Sequence, residues 1–293
     1  MKCGTLYVVA TPIGNLSDIT LRALELLAAV DIIAAEDTRR TRGLLDRHGI
    51  TTPLTSLHEH NEAEKVPELI AQLQGGQSVA LVSDAGTPLI SDPGYRLVVA
   101  AHEAKLETVP VPGPSAVLAA LSVAGIATDR FAFEGFLPTR ATKRREKLSA
   151  LAREQRTLVM FEAPHRLRAT LEDMRERLGG TRKVTVAREL TKQFETLYHG
   201  TLDQVIEDVE ADSAAAKGEI AIVVEGARES DPVRKDADEV LAVLGRELPP
   251  RQAARLAAKL TGVDARSLYR RLARKDGRPP ENDTDSGSLG DGS

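Results

Sequence analysis

Leu81-Val-Ser-Asp-Ala-Gly-Thr-Pro-Leu-Ile-Ser-Asp-Pro-Gly94 is the stretch on which the fold turns. An apolar run at 78–82 leads into it and reads as a buried strand, and residues 95–103 behind it read as a helix. A glycine- and proline-rich turn at the carboxyl end of a strand is where open α/β sheets bind ligands. Gly86 can take backbone angles closed to other residues and lets main chain approach a ligand closely. Pro88 and Pro93 fix the path on either side. Through Asp84, Ala85, Leu89, Ile90 and Ser91 the loop offers backbone amides and carbonyls rather than clustered charge. That suits a ligand with hydrogen-bonding edges, such as an adenine or an amino-acid group. Taken alone, the stretch also reads as an ordinary strand-to-helix turn.

Working outward, strand patterns at 6–10, 31–35, 78–82 and 106–111 alternate with helical patterns at 20–30, 38–48, 62–73, 95–103 and 115–123. This alternation predicts βα units and a mostly parallel sheet in a block spanning 1–128. A second α/β block, 129–226, begins with a strand at 131–136 and a basic helix at 140–154. A strand at 157–162, a helix at 166–178, strands at 183–189 and 194–200, a helix at 202–210 and a strand at 219–225 complete it. The two strands at 183–189 and 194–200 lack a helix between them and predict a hairpin, hence a mixed sheet. Residues 233–276 read as three helices, at 233–246, 250–260 and 265–275, with the outline of a helix-turn-helix or of a helical dimerisation element. The tail, 277–293, has the composition of a disordered segment.

The 293 residues are 42% hydrophobic, enough for two modest domains with real cores. A lone cysteine, Cys3, excludes an intramolecular disulfide and a cysteine-built zinc site, and fits a reducing compartment. The longest apolar stretch, 116–127, is too short to cross a bilayer, and no secretory signal is evident, so a cytoplasmic protein with no membrane partner is expected. The net charge of −4 hides local basic runs. Arg140, Lys143, Arg144, Arg145, Lys147, Arg153 and Arg156 face only Glu146 and Glu154, and residues 251–278 carry nine more cations. Such patches, rather than the total, bind phosphates.

Further loops follow strands: Thr11-Pro12-Ile-Gly-Asn-Leu16, Ala35-Glu36-Asp37-Thr-Arg39, Pro110-Val-Pro-Gly-Pro-Ser115-Ala116 and, in the second block, Ala187-Arg-Glu189-Leu190-Thr-Lys192. Parallel strands present their carboxyl ends on one edge, so the first three should converge with the 83–94 loop. No dinucleotide fingerprint, phosphate loop or hydrolase elbow is present. His58-Glu59-His60, read as extended, places both histidines on one face, but no third metal ligand is evident, and a polar wall of a site or a solvated strand end is the better reading. Glu36, Asp37 and Asp84 stand at strand ends as helix caps or as contacts to a substrate hydroxyl or a ligand amine. Arg188, Glu189 and Lys192 read as a surface ion pair or as part of an inter-domain cleft.

The chain resembles the tetrapyrrole-methylase superfamily of S-adenosylmethionine-dependent methyltransferases. Within it, the chain is most similar to the bacterial 16S ribosomal RNA cytidine 2′-O-methyltransferases. The resemblance runs from residue 6 to about 226, and more loosely through the C-terminal helices. It is carried by the loops above and by His58-Glu-His-Asn61 and Glu162-Ala-Pro-His-Arg166. Superfamily members acting on porphyrinoids carry Gly-Asp-Pro where this chain has Gly86-Thr87-Pro88, which favours the RNA-modifying branch.

The resemblance implies two α/β domains with S-adenosylmethionine in the cleft between them, in a homodimer, and no metal. Cofactor contacts carry over to Pro12, Asp84, Ala85, Gly86, Pro88, Leu89, Ile90, Ser91, Ser115 and Ala116. The second domain would add Phe161, Leu190, Glu219, Ile220 and Ala221. The implied reaction is in-line attack of a ribose 2′-oxygen of a decoding-region cytidine on the sulfonium methyl. The substrate would be 16S ribosomal RNA or a partly assembled small ribosomal subunit. A base or an oxyanion-stabilising cation should assist, with Glu36, Asp37, His58, Glu59, Glu189 and Lys192 as candidates. With only 3% aromatic residues, base reading by stacking is expected to be limited. The alternatives are a porphyrinoid-type small-molecule methyltransferase, active without RNA, and a non-enzymatic ribosome-assembly factor, binding RNA without the cofactor.

Overall fold

A computed structural model describes residues 3–228, 237–261 and 263–275. The chain divides into two compact units, Met1–Arg228 and Glu229–Ser293. The first unit holds two five-stranded sheets. In the first sheet, β1 (Thr5–Val9), β2 (Ile32–Ala35), β3 (Leu54–Ser56), β4 (Val79–Val82) and β5 (Glu107–Val111) lie in the order β3-β2-β4-β1-β5, every pair parallel. Each residue of β4 is buried, as a strand flanked on both edges and covered on both faces must be. Pro110 sits in β5 at the sheet edge, where a missing N–H is tolerated.

Five helices connect these strands: α1 (Leu21–Ala29), α2 (Thr38–Arg47), α3 (Glu62–Gln74), α4 (Tyr95–Glu103) and α5 (Ala116–Val123). The caps are legible in the side chains. Thr20 Oγ1 accepts the Ala23 N–H at the start of α1, and Asp37 accepts the Arg39 N–H at the start of α2. The expected parallel sheet is present, with one strand more than the sequence suggested: β3 has only three residues at the sheet edge, too few to show a period. The segment 58–60 is not extended. Glu59 and His60 lie in a turn because Asn61 Oδ1 accepts the His58 N–H at 2.8 Å and Asn61 Nδ2 donates to the Ser56 carbonyl at 3.1 Å.

The second sheet contains β6 (Phe131–Phe136), β7 (Thr157–Glu162), β8 (Lys183–Arg188), β9 (Thr196–Thr201) and β10 (Ile220–Val224), in the order β6-β7-β10-β8-β9. Only β6 and β7 are parallel; β8 and β9 form the predicted hairpin, so the sheet is mixed. Helices α6 (Ala141–Leu151), α7 (Leu167–Leu178) and α8 (Leu202–Ala211) accompany it. One face of α5, with Val117, Ala120 and Leu121, packs on Val159, Ala187, Ala221 and Val223 of the second sheet and joins the two sheets through a shared apolar layer.

The basic run at 140–156 is only partly a surface patch. Arg144 shares the buried face of α6 with Leu148, one helical turn away. It pairs with Asp173 of α7 at 2.7 Å, and Asp173 also takes Arg145 at 2.7 Å. Lys147 pairs with Glu134 and Arg156 with Glu154. Arg140, Lys143 and Arg153 remain exposed, with no ion pair among the described residues.

The second unit contains α9 (Ala237–Glu247), α10 (Pro250–Thr261) and α11 (Ala265–Lys275) around Leu241, Ala254, Ala257 and Leu268. Alanines of α10 face this small core, while Arg255 and Lys259 of α10 and Arg266 and Arg270 of α11 are exposed. The predicted helix start at 233 and the tail at 277–293 lie outside the described residues.

Candidate active site

The loops after β1, β4 and β5 converge as their topology requires. Thr11 and Gly86 exchange two backbone hydrogen bonds, at 2.9 and 3.0 Å. Thr11 Oγ1 donates to the Ser83 carbonyl at 3.1 Å, and Thr87 Oγ1 donates to the Pro114 carbonyl at 3.1 Å. Gly86 has φ +84 and packs so closely that a Cβ would lie 3.2 Å from Ile13 Cγ2, so glycine is needed there.

Against this edge stands the loop after β8. Gly14 packs directly on it: a Cβ would collide with Lys192 Cγ and lie 2.9 Å from the Leu190 carbonyl oxygen. The lysine can swing away, but the carbonyl cannot without moving Leu190. Gly14→Ala is therefore expected to lower stability by about 1–3 kcal/mol and to weaken cofactor binding, read by thermal unfolding and by calorimetry with S-adenosylmethionine.

Between the two edges lies a cavity of about 410 Å³, in the size range of small-molecule sites. Backbone strain gathers on its rim. Leu89 (φ 72) and Ser91 (φ 69) on one side, and Glu189 (φ 53) and Thr191 (φ 65) on the other, are left-handed although none is glycine. Such conformations persist only where surrounding structure holds them, and they cluster at functional sites. Lys105, just beyond α4, is the fifth described non-glycine residue of this kind.

Ten of the residues carried over as cofactor contacts line the cavity. Ala85, Ile90, Ser91, Ser115 and Ala116 come from the first sheet's loops; Phe161, Leu190, Glu219, Ile220 and Ala221 come from the second sheet. Pro12, Asp84, Gly86, Pro88 and Leu89 do not line it; Asp84 and Gly86 brace it. Asp84 Oδ1 accepts the Asp37 N–H at 2.8 Å and Oδ2 pairs with Arg40 at 3.2 Å. The lining also includes residues that sequence reasoning did not select as contacts: Ile13, Asp92, Val117, Phe136, Glu162 and Gly218 among them. Glu162 opens the Glu162-Ala-Pro-His-Arg166 stretch, and Asp92 directly follows Ser91 of the glycine- and proline-rich loop.

The lining carboxylates differ sharply. Glu162 is 2% exposed and saturated: Arg166 pairs with it at 3.2 Å, Thr170 Oγ1 donates to it, and so does the Ala163 N–H. Glu219 pairs with Lys192 at 3.1 Å. Asp92 has no ion pair among the described residues. Burial, then the neighbouring charge of Glu36, push its carboxyl up to about 6, against a hydrogen bond from Ser83 and with Asp84 adding to the rise.

Of the catalytic candidates, Glu36 lies at the end of β2 behind Asp92. Burial, then Asp84, raise its carboxyl above the usual range, with Glu59 contributing and Arg40 opposing. Asp37 is an exposed cap whose hydrogen bonds from the Arg39 side chain and backbone hold it down at about 2. Neither Asp37 nor the 58–60 turn reaches the cavity lining. His58 and His60 stack edge-on at 6.0 Å, and among the described residues no three His, Cys, Asp or Glu side chains are placed to hold a metal. Lys192 bridges Glu189 at 2.8 Å and Glu219 at 3.1 Å. Burial works against its charge, but these two carboxylates outweigh it and hold the ammonium protonated, while Glu189 is held ionised against its own burial.

An apolar cavity with few polar groups, walled by Ile13, Val117, Phe161 and Ile220 and carrying carboxylates at Asp92 and Glu219, fits a ligand with an aromatic base and cationic centres. S-adenosylmethionine has that character, so the residues present fit the cofactor that the motifs implied.

The comparisons with known proteins first define the class. Residues 5–206 match the Tetrapyrrole (Corrin/Porphyrin) Methylases, and residues 231–275 match the RsmI C-terminal HTH domain. The uroporphyrin-III-C-methyltransferase of Thermus thermophilus shares the fold, with a TM-score of 0.55 at 21% identity, covering 84% of this chain and 99% of that one. The methyltransferase CobJ shares it with a TM-score of 0.58 at 20% identity, covering 76% and 95%. Among relatives in sequence, the Ribosomal RNA small subunit methyltransferase I of Mesorhizobium japonicum is 54% identical over 267 residues, 91% of this chain and 90% of that protein. Its namesake in Escherichia coli O157:H7 is 52% identical over 269 residues, 91% and 94%. The chain belongs to the ribosomal RNA small subunit methyltransferase I family of tetrapyrrole-type methylases.

Proposed function

We propose that this chain methylates the ribose 2′-oxygen of a decoding-region cytidine in 16S ribosomal RNA, using S-adenosylmethionine and acting in the cytoplasm on the small subunit or its precursor. The observation that carries the reading is the strained two-sided cavity, whose lining is drawn largely from the loops that carry the resemblance. When bound there, S-adenosylmethionine supplies an electrophilic methyl group. The protein's part is to hold the cofactor and the ribose in line and to exclude water. Ala85, Ile90, Ser91 and Ser115 would hold the cofactor from one side and Phe161, Leu190 and Ala221 from the other.

A ribose hydroxyl is a weak acid, so its proton needs an acceptor as the oxygen attacks. Glu162 and Glu219 are occupied by cations, which leaves Asp92 as the lining carboxylate free to take it. Glu36 stands behind Asp92 as a positioning residue whose charge makes Asp92 a stronger base. Lys192 fixes the wall by joining Glu189 to Glu219. The exposed cations of α10 and α11 suit phosphate contacts, as a helix-turn-helix would use them.

The homodimer rests on α5. Apart from Ser122, whose hydroxyl donates to the Ala119 carbonyl of its own helix, α5 is apolar, and while one face is buried, Leu118 is 58% and Val123 46% exposed. A helix so nearly apolar all round belongs in an interior, and a second copy would supply one. Leu118→Lys combined with Val123→Lys is expected to yield a monomer by sedimentation velocity; an unchanged dimer would place the interface elsewhere. Among the described residues no helix is long and apolar enough to cross a membrane.

The function is tested by transfer of labelled methyl from S-adenosylmethionine to small-subunit particles from cells lacking this activity, beside a porphyrinoid acceptor. Label in the RNA of the particles is expected. Label on the porphyrinoid, or none at all despite cofactor binding, would overturn the reading.

A further inference from the structure

The β6 strand contains one residue too many for its partner. Phe133 pairs with Val159, Gly135 with Met160 and Phe136 with Phe161, so Glu134 is inserted without an opposite number. In a regular strand successive side chains alternate between faces, and Phe133 and Phe136, three apart, would point to opposite sides of the sheet. The insertion returns them to one side. It does so through Gly135 at φ 63, a left-handed conformation that side chains resist. Bulges of this kind re-aim side chains beside active sites.

The side chain re-aimed here is Phe136. It lines the cavity and meets Phe161 edge-to-face, ring centroids 5.7 Å apart at 60°. Phe161 in turn meets Phe133 at 5.0 Å. Phe136 nonetheless remains 57% exposed, so the bulge does not serve to bury it. The chain just beyond the ring is pinned: Arg166 donates to the Leu137 carbonyl at 2.8 Å and the Pro138 carbonyl at 3.2 Å, while its own charge is held by Glu162. A Cβ on Gly135 would lie 3.7 Å from Ser91 Oγ, so this strand end abuts the loop that carries Asp92.

We propose that Phe136 is a stacking platform for the target nucleobase, an unpaired pyrimidine turned out of the RNA into the cavity mouth. The proposal rests on the ribosomal RNA reading above and adds to it the group that seats the base. Single-stranded RNA is recognised through splayed bases stacked on aromatic rings, and every base offers a π-face for such contact. Phe161, deeper in the wall, suits the cofactor; Phe136, at the mouth and 57% exposed, suits the substrate. A base held there brings its ribose to the end of the cavity where Ser91 and Asp92 stand.

The test uses the full-length enzyme with Phe136→Ala, Phe136→Leu and Phe136→Tyr, assayed on methyl-deficient small-subunit particles. Affinity for S-adenosylmethionine alone is measured by calorimetry. The alanine and leucine variants should lose about tenfold to a hundredfold in kcat/KM for particles. The tyrosine variant should retain activity, and all three should bind S-adenosylmethionine as the native enzyme does. Leucine keeps the apolar volume, so full activity of Phe136→Leu would reduce the residue to packing and overturn the platform. Loss of cofactor affinity matching the loss of kcat/KM would assign the ring to the cofactor's adenine and also overturn it. A native enzyme that fails to label particles would instead overturn the ribosomal RNA reading itself.

Discussion

Asp92→Asn is expected to slow methyl transfer by about a hundredfold to ten-thousandfold, the range for loss of a positioned general base. The carboxylate lines the cavity, has no cation to neutralise it among the described residues, and is pushed up to about 6 by burial and by Glu36. The native enzyme should therefore show an acid limb in its pH–rate profile near that value. Glu36→Gln removes a negative charge that raises Asp92, so the limb should move to lower pH while remaining present; in Asp92→Asn it should vanish. The groups that set the limb are Glu36 at the end of β2 and Asp84 after β4, with Ser83 opposing and with Arg40 and Glu59 acting on Glu36. Stability should respond to the same group. The folded protein holds the Asp92 proton up to about 6, whereas an unfolded aspartate releases it near 3.8. Folding thus takes up a proton in that window, and the contribution to stability is lost as pH rises through it. Urea titrations of the native protein and of Asp92→Asn between those pH values read this difference directly.

Gly94→Val should damage the fold itself. Gly94 leads into α4 with φ +113, and a Cβ there would lie 2.7 Å from Leu81 Cδ2 in the central strand β4. Its N–H donates at 2.8 Å to Glu62, a buried carboxylate that otherwise pairs only loosely with Arg96, at 3.7 Å. A β-branched residue adds backbone strain of about 1–3 kcal/mol, overpacking against Leu81 of about 1–3 kcal/mol, and disturbance of the Glu62 hydrogen bond. Against a typical domain stability of about 5–15 kcal/mol, that is a large fraction. The variant should unfold at markedly lower urea, and the midpoint shift measures it. Gly94→Ala has the same Cβ conflict with less bulk and should fall between.

The sequence told most where local chemistry and burial agree. The α4 helix, the strand β7 and the helix α11 begin and end at the residues read from sequence, because each has an unbroken period between clear breakers; β6 also keeps its bounds, although a bulge breaks its alternation inside them. The paired strands β8 and β9 were legible from the missing helix between them. The edge strand β3 was not, since three residues carry no period. The 58–60 turn was not, because Asn61 folds it through side-chain bonds that no hydrophobic pattern records. Arg144 was read as surface charge because nothing near it in sequence announces Asp173, 29 residues on. In the site, the loop residues were legible as motifs. Asp92 was not singled out, because what distinguishes it is the approach of Glu36 from another strand. Phe136 was not, because a one-residue bulge decides which way it points, and an aromatic content of 3% does not tell where the rings stand.

The most direct test of the central claim is alkaline hydrolysis of small-subunit RNA labelled by the enzyme with methyl-tritiated S-adenosylmethionine. Base cleaves RNA through the ribose 2′-oxygen, so a methyl group on that oxygen protects the bond beside it. The account predicts that the label survives in an alkali-resistant dinucleotide whose first nucleoside is cytidine. Label released in ordinary mononucleotides would place the methyl group on a base and contradict the assignment of Asp92, the cavity and Phe136 to ribose chemistry.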